Sequence, residues 1–304
     1  KNVVLSFCPI NLHKKWYNIC KFYQGGNIFM TKKVKLLSSI GLSSILLASM
    51  PSSVFAEDFV LYEENGIHVE TKGLTDSPST GTIGLYIENN SNLNLGIAPY
   101  AYAINGIMAG GDQYGINSSD VAPGKKANST LELIDTWENK DFFKDYQMNE
   151  VDSFDILLWA YDNAKSFKAF DSGQIHADVA GTTVVSSPVF DSAQNLYNQN
   201  GISVDFISSA GNSFTFCITN TTGQYFAYDV TSETYNDFTM SDSYEVYNEY
   251  LLDGCKTLIT LTPTDEFLAA NGISDVSNVD FALTIRPLAE FANEYTTDLI
   301  SYQK

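Results

Sequence analysis

The run Leu61-Tyr-Glu-Glu-Asn-Gly-Ile-His-Val69 returns, with the same outline, as Leu196-Tyr-Asn-Gln-Asn-Gly-Ile-Ser-Val204. Each carries a central Asn-Gly pair, a strong signal for a tight turn between strands. The correspondence continues downstream. TIGLYIENN at 82–90 lies along SFTFCITNT at 213–221, PGKK at 123–126 along DGCK at 253–256, and 151–178 along 276–303 without a gap. The order is kept throughout and the offset drifts only from 135 to 125. One such match arises easily by chance, but four in register do not. Two long units predict two domains, whereas a solenoid would need shorter and more numerous repeats.

The periodicity is that of strands. Ile83, Leu85 and Ile87 alternate with Gly84, Tyr86 and Glu88, and Phe154, Ile156, Leu158 and Ala160 alternate with Asp155, Leu157, Trp159 and Tyr161. Val279, Phe281, Leu283 and Ile285 hold the same phase in the second unit. A period of two puts one set on a buried face and the other set opposite. Short strands punctuated by Asn65-Gly66, Asn105-Gly106, Asn200-Gly201 and Asp253-Gly254 predict an all-β chain of two antiparallel β-sandwiches. Their expected bounds are 57–178 and 193–304, joined by a small, polar linker at 179–192. Asp135 to Val151 and Thr264 to Val276 are less regular, and the second is expected to carry a helical turn or two.

The N-terminal part reads as address rather than fold. MTKKVKLLSSIGLSSILLASMPSSVFA at 30–56 has a lysine-rich start, a short apolar run and small residues before Glu57, in the order of a secretory signal peptide cleaved after Ala56. The apolar run falls short of a bilayer span and no second hydrophobic stretch follows it, so no membrane span is expected in the mature chain. Residues 1–29 start with lysine, and Gln24-Gly25-Gly26-Asn27 can be encoded by a ribosome-binding sequence suitably placed before Met30. They are expected to be translated upstream DNA. Beyond Ala56 the chain holds ten basic and 36 acidic residues, a net charge of −26. Such a surface repels nucleic acid and suits an extracellular protein.

The pattern LYExxGIxV, a strand ending in ENN, APGKKAN, and a strand of the VDSFDILL type resembles a tandem repeat found in exported proteins of Gram-positive gut bacteria. The resemblance covers 59–178 clearly and 194–303 more weakly, where LLDGCKT replaces the APGKK block. It implies an immunoglobulin-like, telokin-like sandwich and an extracellular location. It implies no catalytic residues, since the repeat is of unknown function.

Few residues carry chemistry. No GxSxG, HExxH, CxxC or phosphate-cradling glycine loop is present. His68 and His176 are the histidines of the mature chain, and strand neighbours of an immunoglobulin-like fold could bring them together; partly exposed strand histidines are the expectation. Asp152, Asp155, Asp162 and Asp171 could gather near one edge, but without a calcium-loop spacing they read as solvated carboxylates. No metal, cofactor or catalytic residue is expected. Cys217 is out of phase with Phe214, Phe216 and Ile218 and should face outward; with Cys255 opening a later strand, a Cys217–Cys255 disulfide is expected.

Two aromatic surfaces are candidates for a partner. Leu157, Trp159 and Tyr161 point away from the first core by phase, whereas the second unit has Ala282, Thr284 and Arg286 there. Packing against the second domain, a loop cover or a partner would each account for them. Tyr235, Tyr244, Tyr247 and Tyr250 lie in an acidic stretch, and tyrosine offers rigid, amphipathic contact area. The function expected is a secreted, non-enzymatic binding or adhesion module for an extracellular protein, cell wall or glycan. The alternatives are a structural spacer or assembly subunit, and a secreted hydrolase of unrecognised motif.

Overall fold

In a computed structural model the described residues are 59–74, 82–110, 119–132, 141–162, 167–178, 185–191, 193–241, 246–288 and 293–304. The expected upstream region and signal peptide lie outside them, as does Tyr244. The described residues belong to one unit, Ser49–Lys304. Strands dominate, with two short helices.

The first half holds β1 (Phe59–Glu64), β2 (Ile67–Leu74), β3 (Thr82–Asn89), β4 (Leu95–Ile104), β5 (Ile107–Gly110), β6 (Ser119–Val121), β7 (Lys125–Glu132), α1 (Phe142–Asp145), β8 (Ser153–Asp162) and β9 (Phe167–Asp178). The second holds β10 (Gln194–Gln199), β11 (Ile202–Ala210), β12 (Ser213–Asn220), β13 (Phe226–Tyr235), β14 (Phe238–Thr239), β15 (Glu249–Leu251), β16 (Lys256–Leu261), α2 (Asp265–Ala270), β17 (Asn278–Pro287), β18 (Tyr295–Thr296) and β19 (Ile300–Gln303). One sheet runs β1-β2-β3-β7. Strands β10-β11-β12-β16 follow the same order, and a single parallel bridge between Lys256 and Ile107 joins them to β5-β4-β8-β9. The remaining sheet runs β14-β13-β17-β18. Short β6 pairs with β4 in the manner that β15 pairs with β13.

Local chemistry sets the turns and strand ends. Asn65-Gly66 and Asn200-Gly201 all take positive φ, which a two-residue turn between right-twisted strands requires. A Cβ at Gly201 would stand 2.8 Å from the Thr221 carbonyl oxygen, so glycine is needed there for space as well as for backbone conformation. The β1–β2 register slips between Val60 and Tyr62, and the β10–β11 register slips at the corresponding Asn195 and Tyr197. Buried Asn89 ends β3; its Nδ2 donates to the carbonyls of Leu93 at 2.9 Å and Val121 at 2.7 Å. Buried Asn220 ends β12 and donates to those of Gln224 at 2.8 Å and Leu251 at 3.2 Å. Each asparagine thereby satisfies carbonyls at the ends of the neighbouring strands and in the loop between them. Thr264 caps α2, its hydroxyl accepting the Phe267 amide at 3.2 Å.

Each half encloses a core of inward-facing strand residues. Ile83, Leu85, Ile87, Phe154, Ile156 and Leu158 fill the first, and Phe214, Phe216, Ile218, Val279, Phe281 and Leu283 the second. The second core also takes in Tyr100, Ala101, Ala103 and Leu157 from the first half.

Candidate functional site

The seam between the halves gathers the side chains of chemical interest. On one side Trp159 stacks on Tyr100, with ring centroids 3.3 Å apart and planes within 9°. Tyr250 meets the edge of Tyr100 at 4.6 Å, and the two hydroxyls are hydrogen-bonded. Leu157 is 1% exposed. Leu157, Trp159 and Tyr161 do point away from the first core, but that direction faces the second half. Leu157 belongs to the second core and Trp159 packs against it; Tyr161 stands beside Trp159, half-buried.

On the other side lies a cleft of about 470 Å³, lined in part by Asn105, Asp152, Asp155, Gln174, His176 and Asp253. Gln174 closes it across the seam. Its Nε2 donates to the Asp253 carbonyl at 2.8 Å, and its Oε1 accepts the Asp253 amide at 2.7 Å. Buried Asp155 accepts from Gln174 at 3.0 Å through the oxygen that also lies 3.1 Å from His176 Nδ1. His176 Nε2 is 3.2 Å from Asp178. Partial burial disfavours a charged imidazole, but the neighbouring Asp155 carboxylate, with Asp178, prevails and raises its pKa. Both ring nitrogens thus face carboxylates, and among the described residues neither is hydrogen-bonded to a hydroxyl or thiol. A histidine activating a nucleophile needs one nitrogen on the carboxylate and the other on the nucleophile.

The His176 pairing has a pH signature. A pKa raised by folding stabilises the fold fully below the unfolded value, and the effect is lost as pH rises through the folded value. The melting temperature of His176→Gln should therefore fall furthest below that of the parent near pH 5 and converge with it above pH 8, read by thermal scans across that range.

The cysteines do not pair. Both thiols are free and buried. In the β12–β16 register Cys217 stands opposite Leu258, three residues beyond Cys255. That offset separates the two Cα atoms by about 10 Å at strand rise, beyond the reach of a disulfide. Cys217 does lie off the Phe214–Phe216–Ile218 face, but that side is covered. Tyr146 hydrogen-bonds the backbone at Leu258, and Lys256 Nζ sits 4.0 Å over the Phe190 ring. Burial pushes the Cys217 thiol up to about 11 and Cys255 higher still, so neither is a nucleophile at neutral pH.

The tyrosine stretch divides. Tyr235 is fully buried and donates to the buried Glu233 at 2.9 Å, so it forms no part of a surface. Its place on β13 turns it into the second core. Tyr250 is held in the seam, while Tyr247 is 64% exposed. The backbone beside Tyr247 is pinned. Val230 donates to the Val246 carbonyl at 3.0 Å, Asn248 donates to Asp229 at 2.5 Å, and Asn248 takes positive φ. This anchor was not legible in the sequence, because the capturing Asp229 lies 19 residues away on β13. His68 lies on the outer face of β2 between Glu63 and Glu70, whereas the partners of His176 are Asp155 and Asp178. Among the described residues no cluster of three metal-ligating side chains occurs, and no helix is long and apolar enough to cross a membrane.

No family model matches the chain, and no curated protein does. Solved structures offer slight likenesses. Red sea bream transglutaminase is 10% identical with a TM-score of 0.23, the match covering 80% of this chain and 32% of that one. The chaperone–tip adhesion subunit pre-assembly complex CsuC–CsuE of Acinetobacter baumannii is 11% identical at 0.22, covering 71% and 90%. The secreted serine protease VesC of Vibrio cholerae is 12% identical at 0.19, covering 79% and 52%. The chain thus spans about a third of the first and about half of the last. Likenesses this slight leave function to be read from the chain's own residues.

Proposed function

We propose that the chain is a secreted, non-enzymatic binding protein built of two tandem immunoglobulin-like sandwiches. Its signal peptide is cleaved after Ala56, and it contacts an extracellular protein, cell-wall polymer or glycan. Support for two modules comes from the matched strand orders, the matched register slips and the paired Asn89 and Asn220 loops. The observation that carries the binding reading is Tyr247, a large ring held out to solvent on a pinned backbone. A pre-positioned aromatic loses little entropy on contact, which is why such residues dominate recognition surfaces. Trp159 and Leu157 leave the list of contacts because the seam already occupies them. A structural spacer is the second reading, favoured by the ring stack and the Gln174 hydrogen bonds that couple the halves.

The test is saturable binding of the chain to a panel of wall polymers, mucin glycans and matrix proteins, with Tyr247→Ala alongside. At least a tenfold loss of affinity with unchanged melting temperature is expected, in line with a central aromatic anchor. Equal binding by the variant would remove Tyr247 from the contact surface, and no binding by either would put the spacer first.

A further inference from the structure

The junction between the halves leaves both of its surfaces represented a second time. Within the chain, the β4–β5 turn of the first half docks on the start of β16. Lys256 donates its amide to the Gly106 carbonyl at 2.9 Å and stands in register with Ile107. On the reading of the chain as two copies, Gly106 and Ile107 correspond to Asp237 and Phe238, and Lys256 corresponds to Lys126. These counterparts have the same backbone. Asn105 and Gly106 take φ of 52° and 69°, and Asn236 and Asp237 take 49° and 69°. The receiving loop is copied as well, since Gly124 donates to Asn89 at 2.7 Å as Gly254 donates to Asn220 at 2.8 Å.

The copied surfaces are more exposed than the originals. Ile107 is 1% exposed, but Phe238 is 45% exposed. Lys125 and Lys126 are exposed at the start of β7, which pairs with β3 alone among the described strands. The side chains also change in complementary pairs. Gln174 bonds the backbone of Asp253 within the chain; the counterparts are Leu299, 57% exposed, and Pro123, an apolar pair in which neither side chain needs a polar partner. Cys255 hydrogen-bonds Asp155 within the chain, and the counterparts are Lys125 and Asp280, an opposite-charge pair. Two independent positions have thus changed on both sides at once, each to a combination that fits.

We propose that the turn Asn236–Phe238 of one molecule docks on Gly124–Lys126 of a second copy of this chain, reproducing the internal junction between molecules. The donor surface lies on the second half and the acceptor surface on the first. The contact is therefore head-to-tail rather than self-complementary, so it propagates from copy to copy into chains, or into rings where the rotation between copies closes. It lacks the Trp159–Tyr100 stack, whose counterparts are Thr284 and Thr231, so it is weaker than the internal seam and depends on concentration.

Sedimentation of the purified chain over a rising concentration series should show reversible growth beyond the dimer, and Lys125→Glu should weaken it at least tenfold. Location is tested by oxidation of a mixture of Phe238→Cys and Lys126→Cys chains. A covalent dimer is expected in the mixture, in excess of that from Ser209→Cys mixed with Lys126→Cys. A monomer at every concentration, or cross-linking no greater than in the Ser209 control, would overturn the proposal. Tyr247 lies outside this contact, so Tyr247→Ala should sediment like the parent. The binding reading and the assembly reading can therefore fail separately.

Discussion

Trp159→Ala is expected to lower the unfolding free energy by about 3 kcal/mol, near the low end for loss of a large aromatic from a packed site because Trp159 is only partly buried. The ring has one face on Tyr100 and its edge near Tyr161, and the Tyr100 hydroxyl is bonded in turn to Tyr250 of the second half. Removing it leaves a void in the seam rather than a bare surface, and the void loosens the aromatic bridge between the halves. Denaturant unfolding should show this as a lower midpoint, and as a split of one transition into two if the halves retain stability apart. Binding per folded molecule should stay unchanged. The opposite result, full stability with lost binding, would make Trp159 a contact residue and the stack dispensable.

Much of the chain was legible because its signals are local. Alternation over Ile83–Ile87 and Phe154–Ala160, and the Asn-Gly pairs, report backbone preferences that hold wherever the segment ends up. The long-range partner of a face is not local. Phase correctly turned Trp159 away from the first core, but it contains nothing about the second half waiting there. The same holds for Cys217. Its phase placed it off the Phe214 face, and only the assembled chain shows Tyr146 and Phe190 covering that side. The disulfide failed on register. Sequence placed Cys217 and Cys255 on neighbouring strands, and a slip of three residues, invisible in either strand alone, separates them. The cleft was half legible: His176 and Asp155 were singled out, whereas Gln174, which ties them to Asp253, gave no signal beyond being one more polar strand residue.

Arg286→Ala should cost about 3 kcal/mol, because it strands a buried carboxylate rather than merely deleting a surface ion pair. Both partners are largely buried. Arg286 Nη2 donates to Asp229 Oδ1 at 2.7 Å while Nη1 reaches the other oxygen, a two-point grip that lysine could not make. Hydrogen bonding to Asp229 raises the Arg286 pKa, so the guanidinium stays charged. Asp229 Oδ1 also accepts the Asn248 amide, which ties this pair to the segment presenting Tyr247. Three results follow from that geometry. The loss should be nearly independent of salt, unlike that of an exposed pair. A cycle of Asp229→Ala, Arg286→Ala and the double substitution should show a coupling of at least about 1 kcal/mol, since the double removes the stranded charge. Amide exchange at Asn248 should quicken in Arg286→Ala, and binding through Tyr247 should weaken with it. A loss below about 0.5 kcal/mol that salt abolishes would reduce the pair to a screened surface contact and leave Tyr247 without its anchor.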